Sequence, residues 1–102
     1  MALSIKPGVR LLGLKPEILV GLQVAEGVYA AHGWTLRLTC GGEGKHQRAS
    51  LHYAGEAVDL GLPPSGTDLP AFIEELKTAL CEEFDALLEA DHVHVEYQPK
   101  GQ

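Results

Sequence analysis

The segment "EAVDLGL" (56–62) places a carboxylate inside apolar sequence, and that placement limits what the chain can build. Asp59 lies between Val58 and Leu60, with Ala57 and Leu62 close by, and no lysine or arginine occurs within ten residues on either side. The composition is that of a strand, where successive side chains point to opposite faces, so Asp59 shares a face with Ala57. An ionised carboxylate in apolar surroundings costs several kcal/mol unless a cation or hydrogen-bond donors compensate it. The fold must therefore bring Asp59 a partner from a distant part of the sequence.

The chain has little material with which to do this. Its 102 residues predict one domain spanning 1–102, near the size at which a single core just suffices. A hydrophobic content of 45% with 22% charged residues is that of a globular fold rather than a disordered chain. The formal net charge of −6 argues against sequence-independent binding to nucleic acid, which needs a basic face, and leaves a divalent cation as a favourable partner. Cys40 and Cys81 show no CxxC spacing and read as small, partly buried thiols rather than a disulfide framework or zinc ribbon. The opening "MALSIKPGVRLLGL" lacks a basic region leading into a long apolar run, and no stretch approaches the ~18 apolar residues of a membrane span. The expectation is a chain made in the cytoplasm without a signal peptide, with no membrane partner, acting as a monomer.

Periodicity sets out the elements. Residues 1–15 read as an irregular lead-in and 98–102 as a tail. "PEILVGLQVAEGVYAAHG" (16–33) predicts a helix, with Pro16 and Glu17 suited to its first turn and Gly33 to its end. Gly21 and Gly27 weaken that helix, although small residues also let another element pack closely. "WTLRLT" (34–39) alternates as a half-buried strand, and "EAVDLGL" follows after a glycine-rich polar loop. "LPAFIEELKTAL" (69–80) predicts a second helix capped by Thr67 or Asp68, which periodicity alone would run on through Phe84, Leu87 and Leu88. "HVHVEY" (92–97) is a final alternating strand. The predicted class is α+β, a small antiparallel sheet with helices packed on one side.

That last strand carries candidates for the partner of Asp59. His92 and His94 are two apart, so both imidazoles point to one face while Val93 and Val95 point to the other. An exposed strand face over a valine core produces the same pattern. His52 precedes Asp59 by seven residues, a span of ~23 Å if extended, but Gly55 lies between them and allows the chain to turn. His52, Asp59 and one histidine of the H-x-H pair would supply two imidazoles and one carboxylate, the donor set of a catalytic zinc site with an open fourth position.

"SLHYAGEAVD" (50–59) fits S-x-H-x-x-G-x-A-x-D at Ser50, His52, Gly55, Ala57 and Asp59. In this it resembles the zinc D-Ala-D-Ala carboxypeptidase and L,D-endopeptidase family, which includes phage endolysins and shares its fold with the hedgehog signalling domain. "DHVHVEY" (91–97) is similar to the family's closing motif, in which an acidic residue stands three before the last zinc-binding histidine. The resemblance spans about residues 16–98. It implies one zinc ion held by His52, Asp59 and His94, with Asp91 as catalytic acid/base and Glu89 as second choice. His92 and His46 would lie beside the reacting centre and donate to the developing oxyanion.

It also implies a strand over 84–89 in place of the helix that Ala86, Leu87 and Leu88 favour. The substrate would be a peptidoglycan stem peptide, hydrolysed at a D-Ala-D-Ala or L-Ala-D-Glu type bond by a phage- or prophage-derived enzyme. A holin would release such an enzyme to the cell wall, or a phage particle would carry it. The alternative is a catalytically silent zinc-bearing structural or interaction domain. Stem peptides carry free carboxylates, so Arg48 and Lys45 are candidate substrate clamps, equally readable as a solvated loop. Ser50 reads as hydrogen-bonding within the loop more than as a nucleophile, and His32 as a helix-terminal residue without further role. Glu96 shares the histidine face of the last strand.

Overall fold

The computed structural model of the chain describes residues 2–41 and 56–98. It shows a small α+β domain in which a five-stranded mixed sheet carries two helices. The elements are β1 (Leu3–Ile5), α1 (Pro16–Ala31), β2 (Leu36–Cys40), β3 (Ala57–Gly61), α2 (Leu69–Leu80), β4 (Phe84–Leu88) and β5 (His92–Tyr97). The spatial order is β1-β2-β3-β5-β4, with β1 parallel to β2 and every other pair antiparallel.

Both helices follow from their apolar stripes. On α1 the buried positions are Ile18, Gly21, Leu22, Ala25, Glu26 and Tyr29, a repeat of three and four residues along one face. On α2 they are Phe72, Ile73, Leu76 and Leu80. Asp68 caps α2 by accepting from the Ala71 N–H at 3.2 Å, and Gly33, at φ +81°, ends α1 with its N–H on the Ala30 carbonyl. These two stripes meet Leu36, Leu38, Val58, Leu60, Ala86, Val93 and Val95 in one core, so the helices cover a single face of the sheet. The opposite face carries Asp59, His92, His94 and Glu96, and no helix of the described residues covers it.

Three expectations need correction. The lead-in is not wholly irregular, because Leu3–Ile5 pairs parallel to Leu36–Leu38 and makes the sheet mixed rather than antiparallel. A parallel neighbour requires a crossover, and α1 supplies it. The second strand starts at Leu36 rather than Trp34. The Trp34 N–H bonds the Tyr29 carbonyl, and its indole stacks on His32 and tilts against Phe72, so it closes the end of α1. Cys81 is exposed rather than partly buried, because it ends α2 at φ 70°, ψ −173°, a turn out of the helix. That turn stops α2 at Leu80 and frees Phe84–Leu88 to pair with β5, as the family resemblance implied and helix propensity did not.

Two residues of α1 set how closely it approaches the sheet. A Cβ built on Gly21 would lie 2.6 Å from Phe84 Cε1, whereas one on Gly27 would meet nothing within 4 Å. Tyr29 is fully buried and donates its hydroxyl to the Gly61 carbonyl at 2.8 Å. Gly61 pairs with His92, so this bond fixes the end of β3 where the first site histidine enters the sheet.

Gly21→Ala should lower stability by about 1–3 kcal/mol through overpacking against Phe84, while Gly27→Ala should raise it by about 0.5–1 kcal/mol. Urea midpoints of the two variants are therefore expected to move in opposite directions. Tyr29→Phe should cost about 1–2 kcal/mol at neutral pH by leaving Gly61 without its donor. Burial holds the Tyr29 phenol well above its ordinary range, so the folded state stays neutral where the unfolded chain ionises. Stability is thus unaffected below about pH 10 and falls above it. Chemical denaturation between neutral and alkaline pH should show that fall shrink in Tyr29→Phe.

Candidate metal centre

The site stands on the pairing of β3 with β5. Val58 and Leu60 are fully buried and point to the helices, which turns Asp59 to the face away from them. Val93 and Val95 do the same for β5 and turn out His92, His94 and Glu96. Register then places Asp59 opposite His94, and Ala57 opposite Glu96. On the other side of β3 a β-bulge between Leu38 and Cys40 sets Cys40 opposite Asp59, and the Thr39 hydroxyl donates to the Asp59 carbonyl at 3.2 Å.

The resulting contacts form a chain of carboxylates and imidazoles. His94 Nδ1 lies 2.9 Å from Asp59 Oδ1, and its Nε2 lies 2.9 Å from Glu96 Oε1. His92 Nδ1 donates to Asp91 Oδ1 at 2.6 Å, leaving Nε2 to face Asp59 Oδ1 at 3.5 Å. Only a protonated imidazole offers donors to two carboxylates at once. Accordingly the hydrogen bond to Asp59 pushes His94 above its ordinary pKa, partial burial works against it, and Glu96 adds to the rise.

Among the described residues, Asp59, His92 and His94 can each offer one ligand atom such that all three lie within 4.8 Å of one another. The group is compatible with one metal ion. Ligand atoms around tetrahedral zinc stand about 3.4 Å apart at normal bond lengths. The 3.5 Å separation of His92 and Asp59 already matches, and the 2.9 Å separation of His94 and Asp59 must open by a few tenths of an ångström. The nitrogens turned away from Asp59 are held as well, His92 by Asp91 and His94 by Glu96. Metal-binding histidines are regularly oriented in this way, with a carboxylate on the far nitrogen.

Of the residues singled out from sequence, Asp59, His92 and His94 converge on one point, with Glu96 on the far nitrogen of His94. The group holds two imidazoles and one carboxylate, but with His92 where the expectation had His52, which lies outside the described residues. Asp91 is strongly exposed and bonds His92, at the rim of a cleft of about 350 Å³ lined by Lys6, Thr39, Cys40, Asp59, Asp91 and His92. Glu89 is exposed in the β4–β5 turn, where its N–H bonds the His92 carbonyl, and it does not line this cleft. His52, His46, Ser50, Lys45 and Arg48 lie outside the described residues. Sequence reasoning missed Lys6, Thr39 and Cys40. Lys6 directly follows β1, a strand that no periodicity announced, and the bulge that sets Cys40 opposite Asp59 leaves no mark in composition.

His94→Ala should abolish binding of one zinc equivalent, measured by calorimetric titration. Glu96→Gln, which weakens only the far-nitrogen contact of His94, should lower affinity by about 10–100-fold. His32→Ala, whose imidazole lies against Trp34 and Glu75 instead, should leave zinc binding unchanged. The sequence matches no protein-family model and no curated protein.

Proposed function

We propose that this chain is a zinc-dependent hydrolase of peptide bonds in bacterial peptidoglycan stem peptides. We further propose that its α+β fold is that of the D-Ala-D-Ala carboxypeptidases and hedgehog signalling domains. The observation that carries the reading is the group of Asp59, His92 and His94, with each imidazole oriented by a second carboxylate. The motif "SLHYAGEAVD" adds His52 as a further ligand by resemblance, and "DHVHVEY" supplies the acid/base position at Asp91. An origin in a phage or prophage, with release to the wall by a holin or carriage on a particle, belongs to the same proposal.

Zinc bound by Asp59 and the two imidazoles would supply a Lewis acid and lower the pKa of a coordinated water toward ~7. The side chains divide the remaining work. Asp91 stands at the cleft rim, where it can take a proton from the attacking water and return it to the leaving amine. His92 ties Asp91 to the centre and keeps its carboxylate within reach of the cleft. Glu96, largely shielded from solvent, holds His94 and takes no direct part.

A second reading has its own support. Asp91 is already bonded to His92, which is how a carboxylate that only orients a ligand would behave. On that reading the chain is a zinc-bearing structural or interaction domain without turnover.

Incubation with purified peptidoglycan, with and without a chelator, separates the two. Zinc-dependent release of free amines should fall by about 10²–10⁴-fold in Asp91→Ala while that variant keeps its zinc. A wild-type protein that binds one zinc and releases no amine would reject the peptidase in favour of the silent domain. Comparing His52→Ala with His92→Ala by zinc titration identifies which imidazole completes the ligand set.

A further inference from the structure

We infer that the hollow between β1 and α1 is a binding site for a primary ammonium carried on an apolar stem, with the Glu26 carboxylate as its receptor. The site lies on the helix side of the sheet, away from Asp59 and the histidines. Nothing in it depends on zinc or on peptide hydrolysis.

Glu26 is an under-satisfied carboxylate. It is only 4% exposed, and its Oε2 accepts the Ala2 N–H at 3.0 Å. Among the described residues its side chain makes no other hydrogen bond or ion pair. A carboxylate offers about four acceptor positions, so burial behind one neutral donor leaves much of its lost hydration unreplaced. Asp59 and Glu96, by contrast, each lie against an imidazole. Among the described residues no fully enclosed side-chain oxygen lacks a partner, so Oε1, which has none, opens onto solvent space. The space that Glu26 lines is a hollow of about 450 Å³.

The walls of this hollow suit a hydrocarbon stem. Leu3 from β1, with Leu19 and Leu22 from α1, lines it together with Gln23. Leu3 and Leu19 keep 46% and 44% of their surfaces exposed, apolar area that an alkyl chain would cover. The volume is that of a small-ligand pocket, which runs to roughly 300–1,000 Å³. A ligand lying there meets leucines along its length and a carboxylate oxygen at its end.

The head group follows from what the hollow provides. With Oε2 held by Ala2, one oxygen is free, so a guanidinium fork that grips both is poorly matched. A calcium or magnesium ion needs about six oxygen ligands, and leucine walls do not supply them. An ammonium is a compact charge with three donors. Glu26 Oε1 takes one, and Gln23, one turn earlier on α1, offers its amide carbonyl for a second. A third acceptor comes from the sheet edge. β1 ends the strand order, and its Ala2 carbonyl and Lys6 N–H both bond β2. Alternation therefore turns the backbone groups of Leu3 and Ile5 to the free edge. The net charge of −6 favours a cationic ligand at long range as well.

A free alkylamine and a lysine side chain of an extended peptide share this chemistry, and the peptide would also pair with the edge of β1. The test is an NMR titration of the full chain at neutral pH without added zinc. The probes are n-pentylamine, n-pentanol, pentanoate and an N-acetylated, C-amidated peptide with one central lysine among alanines. Wild type should bind the amine more tightly than the alcohol and pentanoate most weakly, with shifts at Leu3 and along residues 19–26. Glu26→Gln should weaken the amine by about tenfold or more and leave the alcohol unchanged. A lysine peptide that binds more tightly than the amine assigns the site to a peptide side chain, and equal or weaker binding assigns it to a small amine.

Absence of saturable amine binding, equal affinity for amine and alcohol, or shifts confined to the β3–β5 site would overturn the inference. So would an amine affinity that survives in Glu26→Gln. Should that variant alter the urea midpoint, Leu19→Trp decides instead. Its indole fills the mouth of the hollow from an exposed position, and it should weaken amine and alcohol together. Unchanged amine affinity in Leu19→Trp would equally reject the site.

Discussion

The register between β3 and β5 is the constraint from which the rest of the molecule follows. Side chains alternate along a strand, so a slip of one residue would turn Asp59 and the histidines toward the helices and push Val58, Leu60, Val93 and Val95 into solvent. Burying those four aliphatic side chains is worth roughly 1.5–3 kcal/mol each, and burying unpaired charges in their place adds a further penalty. Hydrophobic packing on one face thus fixes the positions of polar groups on the other. Tyr29 completes the arrangement, since its bond to Gly61 pins the edge of β3 where His92 crosses it. The geometry of the candidate metal group is set because it is the reverse side of a core.

On the face away from the helices, Asp59 both stabilises the charged form of His94 and belongs to the candidate metal group. Asp59 and Glu96 lie on opposite nitrogens of His94 and stabilise its charged form. A divalent ion at Asp59 would take over that role, placing positive charge against the carboxylate from the Nδ1 side while Glu96 continues to hold Nε2–H. Partial burial sharpens the competition, because it disfavours an unpaired charge and so demands that one cation or the other be present. The arrangement therefore answers the problem posed by Asp59 in its apolar segment. Asp59 meets an imidazole from the last strand at 2.9 Å, a separation that opens by a few tenths of an ångström if a metal ion takes the place of the hydrogen bond.

The parts legible in the sequence were those whose signals are local and periodic. The start of α2 follows from its cap at Asp68 and β5 from its alternation, and α1 ends within two residues of where Gly33 suggested, whereas apolar spacing alone would have run α2 past its true end at Leu80. The convergence of Asp59 with His94 could be anticipated because a charge in an apolar strand demands a partner and an H-x-H pair offers one. Where the outcome depends on a contact between distant segments, composition is silent. Ala86, Leu87 and Leu88 favour helix, yet pairing with β5 and the turn at Cys81 make them a strand. Trp34 continues a strand-like alternation, yet the aromatic cluster of Tyr29, His32 and Phe72 draws it out of the sheet. Leu3–Ile5 is too short to show a period at all.

That short strand illustrates how such contacts matter for chemistry as well as for shape. β1 lies at an edge of the sheet, and three paired residues alone hold it weakly. A second tie comes from α1, where Glu26, almost completely buried, accepts the Ala2 N–H at 3.0 Å. A buried carboxylate would normally weigh against a helix face that is otherwise apolar. Here it is offset by a charge-assisted bond to the backbone of the strand that ends next to Lys6. The two charged residues that look misplaced in their elements, Asp59 in β3 and Glu26 in α1, thus act on opposite faces of the sheet, Asp59 in the cleft and Glu26 against the backbone of β1. One gathers the imidazoles, and the other secures the strand that leads into Lys6 at the lining of the cleft.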